Sequence, residues 1–247
     1  MLNLYLTHAW ANSPLRWTTA AGVTLAFALL ARALRGVSNS GAAAGGVACF
    51  VLFVAAGPSA FTVLMLLFLM TWLSTRLGEA GKRELGIAER REGRDGWQVL
   101  ANLGIAALGS LLYGILGDTA WRVATVAALA EAATDTVASE IGQTSSQAAR
   151  LITTWEAVPA GTDGGITVTG TFSGVAAGMT VAATAMFGGM VPHAQYWILV
   201  AAGVFGMLVD SLFGATLQRR GWINNEAVNF CGTLTAAAMA YAIAIRG

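Results

Sequence analysis

Eight stretches of about twenty mostly apolar residues divide this 247-residue chain, and they constrain its fold more than any other feature. They run over roughly 17–34, 40–57, 60–77, 97–116, 119–142, 166–189, 194–217 and 226–245. A helix needs about 20 such residues to cross a bilayer, and a helix satisfies its own backbone polar groups where no water is present. The chain is 56% hydrophobic with a mean hydropathy of +0.64, and only 11% charged, against about 25% in an ordinary globular domain. The segments are long and lack the two-residue alternation of a membrane barrel. The fold expected is therefore all-α: a polytopic integral membrane bundle of seven or eight transmembrane helices, one domain over 1–247, without a soluble domain. The second stretch is short and rich in Gly and Ala, and reads either as a full span or as a re-entrant segment. Met1–Ser13 lacks the basic start, apolar core and small-residue cleavage site of a signal peptide. It reads as a polar-aromatic lead-in at the membrane interface.

The basic residues orient this bundle. With eight spans, eleven of the 14 Lys and Arg residues fall on one side, from Arg32 to Arg220, while Arg16, Arg122 and Arg246 fall on the other. The positive-inside rule puts the first side in the cytoplasm and both termini outside. The protein is thus expected in the cell membrane, multi-pass, with cytoplasmic loops at about 78–96, 143–165 and 218–225. The net charge of +1 comes from clustered residues rather than a basic surface, which argues against nucleic acid. Cys49 and Cys231 lie in apolar stretches without metal-ligand spacing and read as small buried hydrophobes. His8 and His193 alone leave little room for histidine chemistry.

Carboxylates inside an apolar helix demand a reason, since each costs roughly 2.5–3.5 kcal/mol at its centre. Glu131, Asp135 and Glu140 share the fifth stretch and Asp210 sits in the seventh. With alternating helix directions, Asp135, Ser139 and Glu140 fall near the cytoplasmic end of their helix, as do Asp210, Gly214 and Gln218. Gln98 and Asn102, and Asn225 and Asn229, begin helices at the same face. Residues four apart share a helical face, which groups Asp210 with Gln218, Asn225 with Asn229, and Asp135 with Ser139. Glu140 lies about 140° from Asp135 on a regular helix, so the two can share one ion only if the helix unwinds near Ser139. Asp210 is the better partner for Asp135, with Glu140 at the rim.

Gly161-Thr162-Asp163-Gly164-Gly165 lies ahead of the sixth helix in the same layer. Glycines allow positive φ, and successive N–H groups ahead of a helix can cradle an anion. Arg150, Lys82 and Arg83 supply positive charge at that face. Phosphates beside carboxylates suit Mg²⁺ or Mn²⁺, usually held by one or two carboxylates together with phosphate oxygens and water. The residues thus point to an intramembrane, cytoplasm-facing site for a phosphorylated ligand and a divalent cation, with an apolar groove for a lipid tail. The competing class is a small-solute or ion transporter, which should place charges at the midplane; only Glu131 is that deep.

The ordered motifs Asp135-Thr-x-x-Ser139-Glu140-Ile-Gly142, Gly161-Thr-Asp-Gly-Gly165, Asp210-Ser-Leu-x-Gly214-Ala-x-x-Gln218 and Asn225-x-x-Val-Asn229 resemble those of a multi-pass membrane family of formerly unknown function. That family includes the plastid phytyl-phosphate kinase, and the resemblance covers roughly residues 76–245. It implies a Mg²⁺-dependent phosphotransferase that moves a phosphoryl group from a nucleoside triphosphate, with CTP favoured, to an isoprenyl monophosphate such as phytyl or geranylgeranyl phosphate. On this reading Asp135, Asp210 and Glu140 are the catalytic and metal residues. Lys82, Arg83 and Arg150 neutralise phosphates, residues Gly161 to Gly165 bind them through backbone N–H groups, and Asp163 meets a metal or ribose. Asn102, Ser139, Gln218, Asn225 and Asn229 complete the nucleotide and phosphate set. A cytidylyltransferase making a CDP-lipid would use much the same groups. The oligomeric state is left open.

Overall fold

The computed structural model describes residues 15–246. Each expected span is a helix: α1 (Arg16–Ala33), α2 (Asn39–Ala56), α3 (Pro58–Arg76), α5 (Gly96–Leu116), α6 (Ala120–Gly142), α7 (Val168–Phe187), α8 (Tyr196–Phe213) and α9 (Asn225–Ala244). Six are long and apolar enough to cross a membrane by length and composition, with α8 counted from His193 to Gln218. Helix α2 is one of them and is continuous over 18 residues, about 27 Å at 1.5 Å per residue. The reading of Met1–Ser13 lies outside the described residues.

The helices run alternately up and down, and α6 is the one the others surround. It packs against α3, α5, α7, α8 and α9, and every residue from Val123 to Thr134 is buried. A helix hidden on all sides does not meet lipid, so it can carry carboxylates that an outward-facing helix could not. Its alanines let neighbours approach closely. The glycines of α7 do the same from the other side: a Cβ on Gly174 would strike the Thr134 carbonyl oxygen, and one on Gly170 would strike that of Ala138. Thr134 and Thr125 return their hydroxyls to the carbonyls of Ala130 and Trp121, at 2.7 and 2.8 Å, so neither hydroxyl is stranded in the apolar interior. The outward faces are apolar, with Leu25, Leu29, Leu108, Leu111, Phe205 and Leu234 exposed. Cys49 packs in the core and its sulfur accepts from Thr24.

Two features lie beyond what the apolar periodicity announces. The stretch 77–95 is not all loop: after Gly78 (φ +65°), Glu79–Glu84 forms a short helix, α4. The connection 143–167 folds into a small antiparallel sheet of β1 (Ala149–Leu151), β2 (Ala157–Val158) and β3 (Gly165–Ile166), in the order β2-β1-β3. Strands of two or three residues are too short to print an alternating pattern, so they go unseen in the sequence. Their effect is to hold Gly161–Gly165 against the bundle.

Helix starts at this end are firmly capped. Asp95 accepts from the backbone N–H groups of Trp97 and Gln98, and the Gln98 side chain accepts from Asp95 N, a complete capping box for α5. Asn224 and Thr167 cap α9 and α7. Before α5, Arg94 is fixed by its backbone, donating to Gly36 O and accepting from Ser38 N.

Candidate functional site

A cleft of about 490 Å³ opens at this end of the bundle. Its floor is the C-terminal part of α6 and the end of α8; its walls are the starts of α5 and α9 and the Gly161–Gly165 loop. Into it the fold brings Asp135, Ser139, Glu140, Asn102, Gln218, Asn225, Asn229, Asp210 and the five residues from Gly161 to Gly165. These come from five separate parts of the chain.

At the floor, the carboxylates of Asp135 and Asp210 lie within hydrogen-bonding range of each other across the α6–α8 contact. When both are ionised no proton lies between them, and Asp210 Oδ2 is buried without a donor. Carboxylates that close and partly withdrawn from solvent need a cation or a shared proton. One turn deeper, Glu131 is 1% exposed, its Oε1 likewise without a donor. It is lodged between Gly206 and Gly232, where any Cβ would collide with it. Arg94 answers part of this negative charge: its guanidinium is 3.5 Å from Thr136 Oγ1 and 3.9 Å from Glu89, and its charge acts on Asp135.

Helix α6 stays regular through Gly142, so Asp135 and Glu140 diverge as their spacing requires. Glu140 turns toward α3 and α4, where its Oε2 takes a 2.6 Å ion pair from Lys82 and its Oε1 accepts from Thr75 at 2.9 Å. Among the described residues no group of three or more His, Cys, Asp or Glu is arranged to hold a metal ion. The expected trio of Asp135, Asp210 and Glu140 around one ion is not assembled. The pair Asp135 and Asp210 still fits Mg²⁺, which takes one or two carboxylates and completes its shell with phosphate and water. The unpartnered Asp210 Oδ2 is the oxygen such an ion would satisfy.

The expected basic set is also redistributed. Lys82 is 2% exposed and spends its three donors on Glu140, Ser74 O and Thr75 O, so it is a buried structural cation rather than a cleft-lining one. Arg83 pairs with Glu79 on the outer side of α4, and Arg150 donates to Trp155 O within the small sheet. None of the three lines the cleft. The positive charges that do are Arg90 and Arg94. They belong to the most charged stretch of the chain.

The glycine loop reaches the cleft through close backbone approach. Gly161 and Gly164 have φ of +79° and +72°, and a Cβ on Gly164 would strike Ala215. The facing turn, Gly214–Gln218, is π-helical, a local widening frequent at functional sites. Asp163 sits at the tip of the loop. Partial burial raises its carboxyl above the ordinary range, and the charge of Arg219 partly offsets this.

A family profile described as integral membrane protein DUF92 matches residues 22–237. An uncharacterized membrane protein of Methanocaldococcus jannaschii is 34% identical over 209 residues, 84% of this chain and 85% of that protein. Two Arabidopsis thaliana proteins are similar as well. Protein PGR is 31% identical over 74% of this chain and 75% of its own length. The chloroplastic protein VTE6 is 30% identical over 78% of this chain and 61% of its own length. No solved structure matches the chain.

Proposed function

This chain belongs to the DUF92 family of integral membrane proteins, and from that premise and the cleft we propose that it is a membrane phosphotransferase. It moves the terminal phosphoryl group of a nucleoside triphosphate, CTP being the favoured donor, onto an isoprenyl monophosphate. The observation that carries the reading is the Asp135–Asp210 pair, with Asp210 Oδ2 unpartnered and Arg94 beside it. Carboxylates that would repel an anion and an arginine that would hold one stand together where a metal-bound phosphate chain reconciles them. The similarity to VTE6 supports a role in prenyl-phosphate metabolism.

Phosphoryl transfer asks mainly for positioning and charge neutralisation. When bound, Mg²⁺ would supply charge neutralisation on the transferring group, held by Asp135 and Asp210. Arg94 would bind the acceptor phosphate, and the Gly161–Gly165 loop would take the donor's phosphates through backbone N–H groups. Asn102, Asn225 and Asn229 would orient phosphate oxygens. An oxygen of the acceptor phosphate attacks the terminal phosphorus, its P–O bond to the donor breaks, and a nucleoside diphosphate leaves with the electron pair. The attacking oxygen is already ionised, so no general base is needed. The site would face the cytoplasm, as the distribution of Lys and Arg suggests.

The test is a panel of isoprenyl monophosphates with CTP, ATP and Mg²⁺, read by mass spectrometry. A gain of one phosphate identifies the kinase, and a gain of CMP with pyrophosphate released identifies a cytidylyltransferase. Asp135→Asn and Asp210→Asn should each lower turnover on the order of 10²-fold or more, the scale of removing one charge stabiliser from a transition state, in protein that remains folded in detergent. Full activity in either variant would refute the role of the pair.

A further inference from the structure

Beside the cleft runs a second depression with a different character. It is walled by Phe27 and Ala31 of α1, Leu64, Leu67 and Phe68 of α3 and Leu103 of α5. Along α3 it extends from Leu64 to Thr75, about 16 Å of helix axis, or roughly half the thickness of the hydrocarbon core. Its near wall on α2 is pared down to Gly41, Ala42, Gly45 and Gly46. At Gly45 even a Cβ would meet only Val99, at 3.6 Å. The polar end is lined by five arginines against two glutamates, an excess of positive charge that suits an anion. The groove is continuous with the cleft: Glu89, Arg90, Arg94, Gln98 and Asn102 line both.

We propose that this groove holds the hydrocarbon chain of a lipid monophosphate, with its phosphate at Arg94 and Asn102, where groove and cleft meet. An apolar channel one leaflet deep, closed by arginines at the membrane face, matches a single chain with an anionic head. A nucleotide or a solute would leave the apolar walls unused. The proposal rests on the reading of the cleft as a site of transfer to a lipid phosphate, and it assigns the acceptor to the side of α1, α2, α3 and α5. The donor is thereby left to the side of α7, α8 and α9, with the Asp135–Asp210 pair between them.

The test is photo-crosslinking of the full chain in nanodiscs, without nucleotide, using a twenty-carbon isoprenyl monophosphate that carries a diazirine at its far end. Labelled peptides should come from α1 and α3, around Phe27 and Leu64. Unlabelled isoprenyl monophosphate should compete, while phosphatidylglycerol at the same concentration should not. Gly45→Leu, which puts a side chain into the channel, should lower labelling at least fivefold with an unchanged melting temperature; Ala42→Leu serves if that variant unfolds. Labelling confined to α7, α8 or α9, labelling undiminished by a filled channel, or equal competition by phosphatidylglycerol would overturn the proposal, the last by making the groove a site for bulk lipid. Because labelling needs no turnover, groove labelling without any kinase product would refute the phosphotransferase reading and leave the groove standing. Turnover without groove labelling would do the reverse.

Discussion

Lys82→Met should unfold much of what it leaves behind, and adding Glu140→Gln should repair it. Lys82 is 2% exposed, with Nζ 2.6 Å from Glu140 Oε2. At that separation the attraction is about 6 kcal/mol with an effective dielectric of about 20, before the cost of desolvating both ions. Removing the ammonium strands Glu140, whose side chain is 13% exposed and whose other contact is the single hydrogen bond from Thr75. Loss of one partner of a buried pair costs about 3–5 kcal/mol, whereas replacing both with neutral groups of similar volume is close to neutral. The Ser74 and Thr75 carbonyls also lose a donor, which keeps full recovery out of reach. The assay is unfolding in mixed micelles by SDS titration for the wild type, both single variants and the double variant, with the coupling read from the cycle. A Lys82→Met protein of wild-type stability with a raised KM for the nucleoside triphosphate would refute the reasoning. It would mean that the ammonium leaves Glu140 to bind phosphate.

Asp95→Ala removes the carboxylate oxygen that accepts from Trp97 N and Gln98 N at the start of α5 and should cost about 0.5–2 kcal/mol in the same titration. It should also loosen Arg94, seen as a weaker affinity for the acceptor. Gly206→Ala would set its Cβ 2.5 Å from Glu131 Cγ and 2.7 Å from Gly232 O, and should destabilise by about 1–3 kcal/mol through overpacking; wild-type stability would mean that α8 can retreat from α6. Glu79 is held below the ordinary carboxylate range, chiefly by its hydrogen bond from Arg83. A depressed carboxyl stabilises the fold fully above its unfolded value of 4.5, and the gain fades as the pH falls through its lowered folded value. The pair is exposed and should contribute no more than about 1 kcal/mol, so Glu79→Gln should flatten the acid side of the stability profile only slightly.

The cleft was partly legible in the sequence because its members obey two local rules. Helices that alternate in direction put Asp135, Asp210, Asn102, Asn225 and Asn229 in one layer, and the 100° step of a helix separates Glu140 from Asp135. Neither rule reaches into the connections. Lys82, Arg83, Arg90, Arg94 and Arg150 are equivalent as positive charges near one membrane face. Which of them enters the cleft depends on contacts distant in the chain: Glu140 is 58 residues from Lys82, and the backbone of Arg94 is pinned to Gly36 and Ser38.

Eight apolar stretches and four out-of-place carboxylates were enough to determine a helical membrane bundle with a polar site near one face, because a bilayer forbids every other resting place for those residues. Tertiary structure alone decided that α6 would be the enclosed helix and that Glu140 would be spent on Lys82. Those outcomes follow from how closely glycine and alanine faces let helices approach, and packing of that kind is a property of pairs of helices that no single stretch of sequence contains.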